Sequence, residues 1–330
     1  MKKENKTKNT DRSAKNAKTA DKGGILLQAI IISVIVILIV AIVLMVRKWN
    51  KGQESGYDPD EISTDFDTEP NDYILPLDAA SVADKKSDGK LTILALGNSP
   101  FADEGKDNNL AKALSDIYDA NVINCGFEGS YITCKNSEYS DDYPEDGISL
   151  PYVADALATG NYGTVKKAAA SVSENNVQTA DILSHVDMTE VDCIAIMYDT
   201  EDYVDHRPLG SESVTDVTSI YGAVRGSIEK LRDAYPYVRI VFISQAAGGK
   251  TIDDFFVDGD IHDIGNGLLS DYVTFELEAT ASAGASFLDI YYGAINVDVR
   301  DKYLIDDYHI NDDGAKVIAK YVYDRIKIEP

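Results

Sequence analysis

Histidine, cysteine and tryptophan are scarce in this 330-residue chain, at four, three and one respectively. Four histidines leave few groups able to move a proton near neutral pH. Cys125, Cys134 and Cys193 form no CxxC or other metal-ligand spacing, and three thiols cannot make a full disulfide framework. Cys125 and Cys193 sit in apolar runs as small core residues, and a Cys125–Cys134 pair remains open. Positive charge is also in short supply. Residues 1–51 hold 11 of the 31 basic groups and 3 of the 56 acidic ones, so residues 52–330 carry a net charge of −33. A body of that sign repels nucleic acid and anionic lipid, which excludes nucleic acid as a partner.

Long apolar runs are absent too, with one exception. Residues 1–24 are polar, with eight Lys or Arg against three acids, and read as a disordered basic tail. Ile25 to Val46 then gives 22 residues without a charge. At ~1.5 Å per residue such a helix crosses a ~30 Å hydrocarbon core. It is too long for a cleavable leader and ends in Leu44-Met-Val-Arg-Lys-Trp49, so the reading is a permanent membrane anchor. Eight basic residues before the span against Arg47, Lys48 and Lys51 after it put the N-terminus in the cytoplasm and the body outside. Residues 47–87 are dense in acids, among them Asp58, Glu61, Asp65 and Asp72, and read as an extended extracytoplasmic linker.

From 88 to 330 strands and helices alternate. Strands are expected at 91–96, 121–125, 191–198, 238–244 and 286–291. Ile220, Val224, Ile228 and Leu231 form one helical stripe, and Ile318, Tyr321, Val322 and Ile326 another. Residues 135–190 read as a helical insertion. Five short apolar strands with helical crossovers imply an α/β fold, a mainly parallel sheet covered on both faces as a three-layer sandwich.

Four polar pieces follow strand ends or precede a helix. The strand Leu91–Leu96 stops at Gly97-Asn98-Ser99, where Gly97 permits a sharp turn and Pro100 can open a helix. A second strand ends in Asn124-x-Gly126-x-x-Gly129, and a third runs into Asp199-Thr-Glu-Asp202. Asp306-Asp-Tyr-His309 precedes the last helix, and His309 alone of the histidines has an acid three residues before it. Asp258-Gly-Asp-Ile-His-Asp263 fits no known ligand loop and reads as a polar loop.

In these four blocks, in this order, residues 88–330 resemble the SGNH, or GDSL-like, family of serine esterases and lipases. The resemblance implies a flavodoxin-like α/β/α fold and a Ser-His-Asp mechanism. Ser99 would be the nucleophile, His309 the base and Asp306 the group that orients it, because a serine hydroxyl is a poor nucleophile without a base in reach. The Ser99 and Gly126 N–H groups would face the developing oxyanion. The implied substrate is an acyl ester, small-molecule or glycan, attacked through an acyl-enzyme with no cofactor and no metal.

Two positions depart from the family pattern. Asn98 replaces its usual aspartate, with little consequence expected. The family's Gly-x-Asn-Asp stands here as Asp199-Thr200-Glu201-Asp202, so Glu201 replaces the asparagine that would donate to the oxyanion. Losing one such donor typically lowers the rate ~10²–10³-fold. Glu201 could donate only when protonated, with Asp199 and Asp202 as the like charges that would favour that form. Glu201 also supports a second reading, a catalytically weak or inactive domain serving as a surface-binding or scaffold module. A third is a metal-dependent phosphoesterase built on the aspartate-rich loops.

Overall fold

The computed structural model describes residues 38, 69–77, 89–102 and 109–328. The expected basic tail and membrane anchor, apart from Leu38, lie outside the described residues. Among the described residues no helix is long and apolar enough to cross a membrane.

The compact unit runs from Thr68 to Pro330. Its centre is β1 (Thr92–Gly97), buried at every position. Parallel to it lie β2 (Asn121–Gly126) on one side and β3 (Cys193–Met197) on the other. A fourth strand, β4 (Arg239–Ile243), pairs parallel with β3. The hairpin β5 (Gly249–Ile252) and β6 (Phe255–Asp258) stands apart as a two-stranded antiparallel sheet. The last strand, β7 (Ser286–Leu288), completes a five-stranded sheet of order β2-β1-β3-β4-β7.

Period-2 alternation splits the strand side chains between two cores. Leu94, Leu96, Ile194, Ile196, Ile240 and Phe242 face one layer, with Val153, Leu157, Val224, Ile228 and Val273. Ile93, Ala95, Cys193, Met197, Val241 and Ile243 face the other, with Leu110, Leu114, Ile318 and Val322. The first layer contains α3 (Leu150–Thr159), α4 (Gly163–Val172), α5 (Glu174–Ser184), α7 (Ile220–Ala234) and α8 (Leu269–Ser282). The second contains α2 (Leu110–Tyr118) and α11 (Asp312–Arg325). This is the expected three-layer α/β/α sandwich around a parallel sheet. Both helical stripes point inward, and Ile220, Val224, Ile228, Leu231 and Ile318 are fully buried. Burying each such side chain contributes ~1.5–3 kcal/mol.

Short helices close the strand ends: α1 (Ser99–Ala102) after β1, α6 (Glu201–Val204) after β3, α9 (Ile290–Gly293) after β7, and α10 (Arg300–Tyr303) before the last loop. The fifth strand is shorter than the expected 286–291. Asp289 accepts from the Tyr292 N–H and turns the chain into α9. The expected insertion in 135–190 contains a 3₁₀ turn, Pro144–Ile148, and helices α3 to α5. All three cysteines are buried and free, so Cys125 and Cys134 do not pair.

Two features were not expected. The β5–β6 hairpin turns at Asp253-Asp254, both at positive φ (50° and 67°), the conformation that suits a two-residue hairpin. Residues 69–77, assigned above to the linker, run along the outer edge of β7. Tyr73 pairs antiparallel with Phe287, and Asp72 accepts from Asp289 N, Tyr321 Oη and Arg325 Nε.

Candidate functional site

β1 has β2 on one side and β3 on the other. The connection from β1 to β2 covers one face of the sheet and the one from β2 to β3 covers the other, so the strand order reverses at β1. Open α/β sheets form a crevice at such a point. The β1–β3 register sets Gly97 opposite Met197, which brings Asn98 and Ser99 off the sheet beside Asp199. Gly97 is obligatory there: its φ is +155°, and a Cβ would overlap the Met197 carbonyl oxygen.

The turn after Gly97 is held from its own side chain. Asn98 is buried; its Nδ2 donates to Ser130 O at 3.1 Å and Asp199 Oδ1 at 2.8 Å, while its Oδ1 accepts from Asp199 N at 2.9 Å. Its carbonyl accepts from Phe101 N and Ala102 N, which winds α1 and presents Ser99 on its first turn. The position expected to be of little consequence is therefore the main partner of Asp199. The amide at 98 and the carboxylate at 199 bind each other.

Ser99 Oγ donates to Asp199 Oδ2, not to His309. The same Asp199 oxygen lies 3.7 Å from His309 Nε2. On the far side of the ring, His309 Nδ1 faces Asp306 Oδ2 at 2.8 Å and Oδ1 at 3.0 Å. Asp306 also accepts from the His309 and Tyr308 backbone N–H groups. Against the opposing effect of partial burial, these N–H groups and the imidazole hold the Asp306 carboxyl below its usual range. Ser99, Asp199, His309 and Asp306 thus form one continuous line. The structure brings Ser99, His309 and Asp306 to one rim, and it places Asp199 between the first two.

Asp199 is buried, and desolvation raises its pKa against the bonds from Ser99, Asn98 and the Glu201 N–H. Glu201 opens α6, donates its N–H to Asp199 Oδ1 at 3.0 Å, and lines the pocket. Burial, then the charges of Asp199, Asp202 and Asp205, push its carboxyl up to about 8. The like charges expected to favour its protonated form, Asp199 and Asp202, both act on it, with burial the larger cause. One oxygen, Oε2, is buried with no hydrogen-bond partner. Asp202 has another task. It is buried and binds Ile132 N, Thr133 N and Thr133 Oγ1, clamping the loop after β2. Desolvation raises its carboxyl to about 6.

Gly126, expected to face the oxyanion, has its N–H engaged within the chain. Its N–H donates to Asn124 Oδ1 at 3.1 Å, and it packs against Phe101. Gly129, three residues on in the same motif, lines the pocket instead with φ +65°. Asn98, Ser99, Ala102, Glu128, Glu201 and His309 complete the walls of a cavity of about 120 Å³, room for a small acyl group. Asp199 and Gly129 are the functional positions missed from the sequence. Both lie inside motifs already singled out, and the signal for Asp199 was a charged residue directly after an apolar strand.

Asp199, Glu201 and His309 each offer one donor atom, all within 4.8 Å of one another, the one such group among the described residues. The Asp258–Asp263 segment is structural. Asp258 forms a two-pronged bond with Arg300, and Asp263 Oδ1 accepts from the Gly265 and Gly267 N–H groups.

Neither a family model nor a curated protein sequence matches the chain. Among solved structures, one that is 20% identical covers 73% of this chain and 100% of its own, with a TM-score of 0.53, and shares the fold. A protein from Lactobacillus plantarum is 22% identical over 73% of this chain and 100% of its own, at a TM-score of 0.49. A possible lipase from Chitinophaga pinensis is 15% identical over 71% of this chain and 97% of its own, at 0.47.

Proposed function

We propose that the 68–330 domain is a serine esterase of the SGNH type, which cleaves a small acyl group from an ester through an acyl-enzyme on Ser99. The observation that carries this reading is the line Ser99–Asp199–His309–Asp306 along one wall of a pocket at the carboxyl edge of the sheet. Ser99 Oγ attacks the ester carbonyl as its proton passes to His309 Nε2, which Asp306 orients from behind. The imidazolium then gives the proton to the leaving alcohol, and water repeats the sequence to free the acid. The Ser99 and Gly129 N–H groups and protonated Glu201 supply donors for the oxyanion.

Asp199 sets the resting state. While it accepts the Ser99 hydroxyl, His309 lacks its direct bond to the nucleophile, so the serine is attenuated until it rotates away. Glu128 on the pocket wall favours a neutral or cationic acyl group. Anchored by Ile25–Val46 with its body outside the membrane, the enzyme would meet acylated surface glycans, a substrate class inferred from placement alone.

The test is hydrolysis of p-nitrophenyl acetate by the full-length chain in mild detergent. Turnover in the parent, lost in both Ser99→Ala and His309→Ala, supports the reading. Turnover that survives in Ser99→Ala overturns it. A second reading, a binding module with an idle site, draws on Asp199 and Glu201 standing where the family has Gly and Asn. It predicts no turnover in the parent.

A further inference from the structure

We propose that Asp199, Glu201 and His309 form a binding site for a first-row divalent cation of the zinc type, and that the bound ion holds the serine chemistry off. The site goes beyond the esterase reading, which uses no metal.

The donor set is one imidazole nitrogen and two carboxylate oxygens, a mixture that suits Zn²⁺ and its first-row neighbours better than Mg²⁺ or Ca²⁺. Zinc bonds to nitrogen and carboxylate oxygen at ~2.0–2.2 Å in tetrahedral geometry, which sets its donors about 3.4 Å apart. The three donors here lie within 4.8 Å of one another, and His309 Nε2 is 3.7 Å from Asp199 Oδ2. Side-chain movement of about an ångström closes the set around a tetrahedral ion.

Three further observations point to a ligand in this space. Glu201 Oε2 is buried and unpartnered, an arrangement that is unfavourable unless something meets it. Two of the three donors already have an outer partner that aims them. Asp306 holds His309 Nδ1, leaving Nε2 forward, the carboxylate–histidine arrangement that tunes metal-binding imidazoles. Asn98 Nδ2 and the Glu201 N–H fix the other oxygen of Asp199. Finally, the walls of the pocket carry no Lys or Arg to compete with an ion for these carboxyl groups.

The consequence for Ser99 is chemical. An ion on Nε2 occupies the lone pair that would accept the hydroxyl proton, so the metal-bound state cannot activate the serine. This last clause rests on the esterase reading; the binding site does not.

The probe is Zn²⁺, titrated calorimetrically into the full-length chain in mild detergent. The expected result is one ion per chain, with Kd raised at least about tenfold in Glu201→Gln and His309→Ala and unchanged in His262→Ala, an exposed histidine away from the pocket. Zn²⁺ should raise the Tm of the parent and not of Glu201→Gln. Independently of any variant, Zn²⁺ should protect His309 from diethyl pyrocarbonate while His185, His206 and His262 still react. Absence of saturable binding, binding indifferent to Glu201→Gln, or a reactive His309 in the presence of Zn²⁺ overturns the site. Fluorophosphonate labelling separates the two claims. Labelling that Zn²⁺ slows and chelation restores supports the inhibitory role, and labelling unaffected by bound Zn²⁺ overturns that role. A parent that binds Zn²⁺ but never labels overturns the esterase reading and leaves the cation site standing.

Discussion

Asn98 and Asp199 exchange two hydrogen bonds across the carboxyl ends of β1 and β3, Asn98 Nδ2 to Asp199 Oδ1 at 2.8 Å and Asp199 N to Asn98 Oδ1 at 2.9 Å. Both side chains are buried, so the amide and the carboxylate are matched to each other. Asn98→Asp would set two carboxylates face to face and remove a donor, for a loss of ~1–3 kcal/mol. The double variant Asn98→Asp/Asp199→Gly removes the clash and should recover most of that loss. Urea unfolding of both proteins checks the coupling; equal losses in the single and double variants would contradict it.

Asp199 also binds the Ser99 hydroxyl, so its removal has a direction for reactivity. Asp199→Gly frees Ser99 to bond His309 directly and should raise the fluorophosphonate labelling rate about tenfold, since activation of a serine depends on a base in hydrogen-bond reach. A rate that falls instead would make Asp199 itself the base.

Glu276 on α8 is buried far from solvent, and Gln245 can turn its amide to donate to both carboxyl oxygens at 2.7 Å. Desolvation, then the charges of Asp202 and Asp289, raise its pKa well above the ordinary 4.5. A group raised on folding stabilises most below its unfolded pKa, and that contribution declines as pH climbs toward the folded value. Glu276→Gln removes this dependence. The variant should gain stability over the parent steadily from pH 5 to pH 8, measured as Tm; a constant difference would show that Glu276 does not titrate with folding.

The 69–77 segment is tied down chiefly by Asp72. Asp72→Ala removes its bonds to Asp289 N, Tyr321 Oη and Arg325 Nε and should destabilise the domain by ~1–3 kcal/mol, with faster trypsin cleavage at Arg325 and Lys327. Unchanged unfolding and unchanged cleavage would mean that the segment adds nothing to the fold.

The sheet was readable because buried parallel strands are apolar along most of their length: β3 is so throughout, β1 apart from Thr92 and β4 apart from Arg239. Helix α11 announced itself through its stripe; in the structure Asn311 caps it by accepting from the Asp313 and Gly314 N–H groups. The β5–β6 hairpin was hidden because neither strand alternates and its turn uses two aspartates in place of glycine. The strap at 69–77 was hidden because its acid, Asp72, reads as solvated until Tyr321 and Arg325 arrive from the far end of the chain. Ser99, His309 and Asp306 were legible as motif residues. The position of Asp199 between them was not, since it depends on the β1–β3 register and on the Asn98 amide, contacts made by residues a hundred positions apart. Gly126 and Gly129 share a motif, and only the path of the loop after β2 decides which one faces the pocket.

The central claim is that Ser99 is an activated nucleophile. The most direct measurement is fluorophosphonate labelling of the full-length chain in mild detergent, with the modified peptide located by mass spectrometry and Ser99→Ala treated in parallel. The account predicts a single adduct on Ser99 of the parent and none in the variant. A folded parent that stays unlabelled, or an adduct that persists in Ser99→Ala, would contradict it.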